Sequence, residues 1–245
     1  MRVTRVHVDL PLATRDRLEL PADAARHLVQ VLRLRPGDGF VLFNGDGRDF
    51  AATVLEADRR GARVEVGEAV VVERESPLRV LLLQGIARGE KMDLILQKAT
   101  ELGVDGIRPL FSERSEVKLE GARADKRLAH WRSVVASACG QSGRARVPAV
   151  AAPAGLATVL ESLPAGGLRL LLDPEGALAL PALQPGPGQP VYLAIGPEGG
   201  WAPRDREQLH AAGFRGLRLG PRILRTETAG LAAITALQAL HGDLR

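Results

Sequence analysis

Apolar positions recur along this chain in two rhythms. Up to about residue 72 they come in short runs: Val3, Val6 and Val8, then 40–43, 50–55 and 63–72, separated by Gly-Asp-Gly, Asn-Gly-Asp-Gly and Asp-Arg-Arg-Gly. Short runs rich in β-branched and aromatic residues between such turns predict strands, and their spacing predicts a small closed barrel. One stretch within this region keeps a helical period instead. Pro21 and Asp23 open it and Pro36-Gly37 stops it, so a helix is expected over 22–34.

Residues 73–77, Glu-Arg-Glu-Ser-Pro, interrupt the apolar pattern with charge and then proline. A domain boundary is expected there, giving domains 1–73 and 74–245. Beyond it the grammar changes to strand, loop, helix, strand. Strands are expected at 79–84, 106–111, 168–172, 191–195 and 217–219. Helices are expected at 92–102, closed by Gly103, then at 126–142, from Pro203 to near Gly213, and at 229–240. This alternation predicts an α/β domain with a parallel sheet covered by helices. Val-Tyr-Leu-Ala-Ile at 191–195 is apolar throughout, as a strand buried on both faces must be.

Two of the later strands run into glycine-marked loops. One is Gly196-Pro197-Glu198-Gly199-Gly200, and the other is Gly220-Pro221-Arg222-Ile223-Leu224-Arg225-Thr226-Glu227-Thr228. Glycine admits close backbone approach, and carboxyl ends of parallel strands are where open α/β sheets hold ligands. Asp173-Pro174 is a third such strand end. Thr226 stands where a helix N-cap would, with Glu227 in the first turn, where the helix dipole favours an acid. Arg88, Lys91 and Arg114 are expected at the same end of the sheet, as ligand contacts or as members of a solvated salt-bridge network.

Composition narrows the picture. The chain has 245 residues, 45% of them hydrophobic, enough to bury a sizeable core. Its 33 basic and 29 acidic residues leave a formal charge of +4, which permits a polyanionic partner without requiring one. A single cysteine, Cys139, excludes an internal disulfide or a thiolate zinc cluster and reads as a small core residue. The five histidines show no ligand spacing, so no metal is expected. No run approaches the roughly 18 apolar residues of a membrane helix, and the first ten residues lack a signal peptide's apolar stretch, so a cytoplasmic location is expected. There is no Gly-x-x-x-x-Gly-Lys-[Ser/Thr] loop and no Gly-x-Gly-x-x-Gly, which excludes two familiar nucleotide sites.

The strings Ile-Gly-Pro-Glu-Gly-Gly at 195–200 and Leu-Gly-Pro-Arg-Ile-Leu-Arg-Thr-Glu-Thr-Ala at 219–229 resemble the C-terminal signature of the RsmE family. These are SPOUT-class methyltransferases that modify N3 of a uracil in 16S ribosomal RNA. Residues 91–104, Lys-Met-Asp-Leu-Ile-Leu-Gln-Lys-Ala-Thr-Glu-Leu-Gly-Val, and the pattern from His27 through Val31-Leu32 to Arg33 resemble that family as well. One string departs from it: Ser137 and Gly140 stand where relatives carry two glutamates, while Gln141, Gly143 and Arg144 remain.

The resemblance implies a PUA-like β-barrel that holds RNA, followed by a knotted parallel sheet with helices on both faces, a C-terminal trefoil knot and a homodimer. Ala229, Ala232, Ala233, Ala236 and Ala239 on the last helix would permit close packing. It implies S-adenosylmethionine as methyl donor, held by Leu172, Asp173, Ile195, Gly196, Pro197, Gly199, Gly200, Leu219, Gly220, Ile223, Leu224, Thr226 and Thr228. The implied substrate is 16S ribosomal RNA or the small subunit, at the uracil U1498. Arg5, His27, Arg33, Arg88, Lys91 and Arg114 are the expected RNA contacts.

A uracil N3 must lose its proton before it can attack, so the site needs an acceptor and a group that stabilises the resulting anion. Arg225 is the expected anion stabiliser, with Arg88 as a second candidate. Glu198 and Glu227 are candidates for proton acceptor, for positioning an arginine, or simply for capping helix N-termini. Two other readings remain: a SPOUT enzyme acting on a ribose 2′-hydroxyl, and a non-catalytic RNA-binding protein of ribosome assembly.

Overall fold

In a computed structural model of the chain, residues 4–58 and 60–244 are described. Val3, expected in the first strand, and Arg59, in the Asp-Arg-Arg-Gly turn, lie outside them. The chain forms two compact units, Met1–Glu75 with Ala136–Val147, and Ser76–Val135 with Pro148–Arg245. It therefore passes between units at 75/76, 135/136 and 147/148, where the sequence suggested one passage. The second of these falls inside an uninterrupted helix, so no proline, glycine or charge cluster announces it.

The first unit contains β1 (Arg5–His7), β2 (Arg17–Glu19), α1 (Ala22–Arg26), β3 (Gly39–Phe43), β4 (Arg48–Ala57) and β5 (Ala62–Val71). Its sheet runs β1-β3-β4-β5-β2; β1 is parallel to β3 and the other pairs are antiparallel. Alternation along β4 and β5 sends Phe50, Ala52, Val54, Val64 and Val66 into a core shared with Val6, Leu28 and Leu42. The helix expected over 22–34 is shorter than its period suggested. It is α-helical only to Arg26, then widens into a π-helical turn over His27–Val31, and Arg33 follows with φ of +57°. β2 is too short to leave a periodic signal.

Residues 136–147 complete this unit. The Arg5 guanidinium donates to the carbonyls of Cys139 at 2.8 Å and Arg144 at 3.1 Å, and to the Asp49 carboxylate at 3.1 Å through Nε. It lies 4.4 Å from the Phe43 ring centroid, and its side chain is 7% exposed. Arg144, also buried, pairs with Glu75. Gly140, in place of a glutamate, puts its backbone against Arg5: a Cβ there would meet the Arg5 carbonyl oxygen at 3.4 Å.

The second unit is built on an eight-stranded sheet in which every pairing is parallel. Its elements are β6 (Val80–Gly85), α2 (Glu90–Glu101), β7 (Gly106–Phe111), α3 (Gly121–Ser142), β8 (Ala149–Val150), β9 (Ala154–Gly155), α4 (Leu156–Glu161), β10 (Leu168–Leu172), β11 (Leu178–Ala179), β12 (Val191–Ile195), α5 (Pro203–Ala211), β13 (Arg215–Arg218) and α6 (Thr226–His241). The last residues of α3 belong to the first unit. Strand order is β11-β13-β10-β12-β6-β7-β8, with β9 pairing β7. All five residues of β12 are buried between β10 and β6, as its unbroken apolar character requires. β8, β9, α4 and β11 were not expected from the sequence: each has six residues or fewer, too few to show a period.

α6 packs along α2, and buried Gln238 fixes its far end. Its Nε2 donates to the Leu102 carbonyl at 3.2 Å, and its Oε1 accepts from Ser76 Oγ at 2.6 Å. Among the described residues, no helix is long and apolar enough to cross a membrane.

Candidate active site

The carboxyl ends of β10, β12 and β13 open together onto a cavity of about 480 Å3, within the range of roughly 300–1,000 Å3 usual for small-molecule sites. Its wall includes Leu172, Asp173, Ile195, Gly196, Pro197, Glu198, Gly200, Leu219, Gly220, Ile223, Leu224, Arg225, Thr226 and Glu227. Lys91 and Arg114 also line it. Gly199 and Thr228, expected with these residues, are not on the wall. Gly199 backs onto Arg114, where a Cβ would meet Arg114 Cβ at 3.0 Å. Thr228 faces a neighbouring depression formed by β11, Arg218 and α6.

The loops reach this arrangement because their backbones can touch. A Cβ on Gly85, the last residue of β6, would lie 2.5 Å from the Pro197 nitrogen, so only glycine lets the β12 loop cross there. Gly200 and Gly220 take φ of +65° and +80°, conformations that cost other residues strain. Thr226 then ties the loops together. Its hydroxyl donates to the Gly196 carbonyl at 2.6 Å and accepts from the fully buried Gln84 Nε2 at 3.0 Å. It is the first residue of α6 and not its N-cap, which is Arg225, with no side-chain cap. Arg225 has the extended backbone of a cap, with ψ of 154°, and its carbonyl accepts the N–H groups of Thr228 at 2.9 Å and Ala229 at 2.7 Å.

Charge at the cavity mouth is paired. Lys91 Nζ stands 3.5 Å from Glu198 Oε1 and 3.7 Å from Glu227 Oε2. Glu198 Oε1 also accepts the backbone N–H of Arg88 at 3.0 Å. Burial pushes the Glu198 carboxyl up, but hydrogen bonds from the backbone N–H groups of Arg88 and of Glu198 itself, with the charge of Lys91, outweigh it. The net position is below the ordinary carboxylate value. Arg114 donates to the Gly199 carbonyl at 3.1 Å, and Arg206 pairs with buried Asp173. The Arg88 guanidinium pairs instead with Glu116, at 2.7 Å.

Of the other residues expected to meet RNA, His27 and Arg33 are exposed on the first unit. Arg5 is not: every face of its guanidinium is taken up inside that unit, so the expectation for Arg5 is corrected to a structural clamp. Residues that the sequence reading passed over include Gln84, Trp201 and Arg206. Gln84 carried one signal, as a lone amide at the end of an otherwise apolar strand. Trp201, directly after the double glycine, lines the cavity and has a buried indole Nε1 with no hydrogen-bond partner among the described residues. Glu227 Oε2 is buried and likewise lacks a hydrogen bond.

Residues 74–238 match the family described as RNA methyltransferase domain, and residues 20–67 match the RNA methyltransferase PUA domain. A ribosomal RNA small subunit methyltransferase E from Buchnera aphidicola is 32% identical over 99% of this chain and 98% of its own length. The chain belongs to the RsmE family. The protein of that name from Mycobacterium tuberculosis is 36% identical over 89% of this chain and 84% of its own length. A crystal structure of the ribosomal RNA small subunit methyltransferase E from Neisseria gonorrhoeae, bound to S-adenosyl methionine, superposes with a TM-score of 0.94 at 40% identity, covering all of both chains. The PUA-like first part and the parallel-sheet second part are thus those of the RsmE family.

Proposed function

We propose that this chain transfers a methyl group from S-adenosylmethionine to N3 of a uracil in 16S RNA of the small ribosomal subunit, the base being U1498. The observation that carries this reading is the cavity where three strand ends converge, in a chain of the RsmE family.

The wall suits such a donor. Leu172, Ile195, Leu219, Leu224 and Trp201 give apolar surfaces for a flat base, glycine backbones allow close approach, and the orphaned Trp201 Nε1 offers a donor with no internal use. Bound, S-adenosylmethionine supplies a methyl group already activated by a sulfonium. What remains for the protein is to orient the base, remove a proton and stabilise an anion. Arg225, exposed at the cavity rim, is placed for the last of these. A uracil must also be unpaired or turned out of its stack, because a paired N3 edge cannot be reached.

Residues 1–73, with His27 and Arg33 exposed, serve as the RNA-holding domain, which 136–147 complete structurally, and the rest of 74–245 as the catalytic domain. The last segment forms a trefoil knot; the interleaved order of β10 to β13 supports this. Two copies pair through the alanine-rich α6, and the protein works in the cytoplasm.

The test is nucleoside mass spectrometry of small-subunit RNA from cells lacking this gene. Loss of N3-methyluridine, restored by the intact gene and not by Arg225→Ala, is expected. Loss of a ribose methyl instead would favour the 2′-O reading, and unchanged RNA would overturn both. Arg225→Ala should still bind S-adenosylmethionine in calorimetry with an affinity within a few-fold of wild type.

A further inference from the structure

Two carboxylates face one lysine at the mouth of the cavity, and their surroundings differ. Glu198 spends Oε1 twice, on the Arg88 N–H and on Lys91. It thereby ties the loop after β6 to the loop after β12, and its acidic form is disfavoured. Glu227 lies in the first turn of α6, with its side chain 15% exposed. Its Oε2 is buried, accepts no hydrogen bond among the described residues and meets only the charge of Lys91 at 3.7 Å. The other charged groups on this wall are Arg225 and Arg222 from the loop leading into α6, Arg114 from the loop after β7, and the Asp173–Arg206 pair. A proton acceptor needs a free lone pair beside the substrate. Glu198 is held in place by its two Oε1 contacts, and the bonds that hold it favour its charged form, which makes it a weaker base than an ordinary carboxylate.

We infer that Glu227 is the proton acceptor of this site, that Lys91 positions it, and that Glu198 is a structural brace. The inference rests on the proposed uracil-N3 reading and deepens it. In the step, the N3–H bond of the uracil breaks and the proton passes to the Glu227 carboxylate, which lines the cavity. The electron pair stays on the ring, shared by N3 and the two flanking carbonyl oxygens, and the proton later leaves Glu227 for solvent. As the charge moves from Glu227 to the base, Lys91 and Arg225 remain to face it, so the site never exposes an unopposed anion. Lys91, expected from sequence to touch RNA, acts here through Glu227.

The experiment uses the full chain and small subunits isolated from cells lacking this gene, with single-turnover methylation followed from pH 6 to 9.5. Glu227→Gln should slow the step about 10²–10⁴-fold at neutral pH, with the deficit shrinking as pH rises and solvent takes over N3 deprotonation. Its S-adenosylmethionine affinity should stay within about threefold, a loss of less than about 0.7 kcal/mol. Subunits reconstituted with 16S RNA transcribed with 5-fluorouridine, whose N3 is more acidic, should restore much of the Glu227→Gln rate, a rescue that a merely structural role cannot produce. Glu198→Gln should lose less than tenfold at every pH. Lys91→Arg should keep most of the activity and Lys91→Met should not. If Glu227→Gln fails to bind the donor, Glu227→Asp is read instead, with an intermediate loss that also recovers at high pH.

The inference is overturned if Glu227→Gln matches wild type, if its loss is independent of pH and of 5-fluorouridine, or if Glu198→Gln shows the alkaline recovery. Wild-type protein that leaves uracil N3 unmethylated would overturn the underlying reading, and this one with it. Normal wild-type transfer with an unaffected Glu227→Gln removes this inference alone.

Discussion

At the scale of single residues, the site depends on contacts that tolerate no added atom. Gly85→Ala places a carbon 2.5 Å from the Pro197 nitrogen, a backbone atom that cannot swing aside. This substitution should destabilise the protein by about 1–3 kcal/mol, as overpacking does. It should also weaken S-adenosylmethionine binding, and urea unfolding with calorimetry checks both. Thr226→Val removes the bond to Gly196 and one partner of the buried Gln84 amide, at a cost of about 1–3 kcal/mol by the same unfolding measurement. Cys139 behaves in the opposite sense to a catalytic thiol. Burial pushes its pKa up to about 11, so iodoacetamide at pH 8 should label it only after unfolding, a contrast read by mass spectrometry. The glycines, the acids and Arg225 were legible in sequence because their residue types are unusual in those places. Gln84 and Trp201 were not, since one polar atom at the end of a strand, or one indole after a turn, looks like ordinary packing until the partners are known.

At the scale of elements, regular periods were read well and irregular ones were not. Five apolar residues in a row identify β12, and Gly103 marks the end of α2. The π-helical turn at His27–Val31 has no period of its own, because it inserts into a helix whose apolar pattern continues past it. Such turns cluster at functional sites, and the left-handed Arg33 that follows carries strain of order 1–2 kcal/mol. Arg33→Gly should therefore raise stability, by up to about 1 kcal/mol once the extra freedom of glycine in the unfolded chain is counted, while lowering affinity for small-subunit RNA. Arg33→Lys should leave stability unchanged. Thermal unfolding together with filter binding separates the two effects.

At the scale of the whole molecule, the first unit is discontinuous in sequence. The acceptors of Arg5 come from Cys139 and Arg144, so a fragment of residues 1–75 lacks them and strands a nearly buried guanidinium. That fragment should fail to unfold cooperatively, and joining 136–147 to it through a flexible linker should restore a transition seen by circular dichroism. The unit also has an acid-sensitive residue. Burial lowers the pKa of His7 from 6.5, with Asp9 opposing, so the unfolded chain takes up a proton that the folded one resists. Its contribution to stability is complete above pH 6.5 and is lost as pH falls towards the folded value. Glu198 is also lowered, but its contribution fades only below 4.5. Between pH 7.5 and 5.5 the melting temperature should drop, and His7→Gln should flatten that drop.

The strand order carries one more consequence. β12 enters between β10 and β6, and β13 between β11 and β10, so the latest parts of the chain fill slots in the middle of the sheet. A ribosome that has made the first 190 residues has released a sheet still in three pieces, β11, β10 and β6-β7-β8 with β9, separated by two lengthwise gaps. Because the polypeptides that close those gaps also form the walls of the cavity, a nascent or truncated copy cannot own a working pocket. Competence to bind the donor and completion of the fold arrive in the same final event.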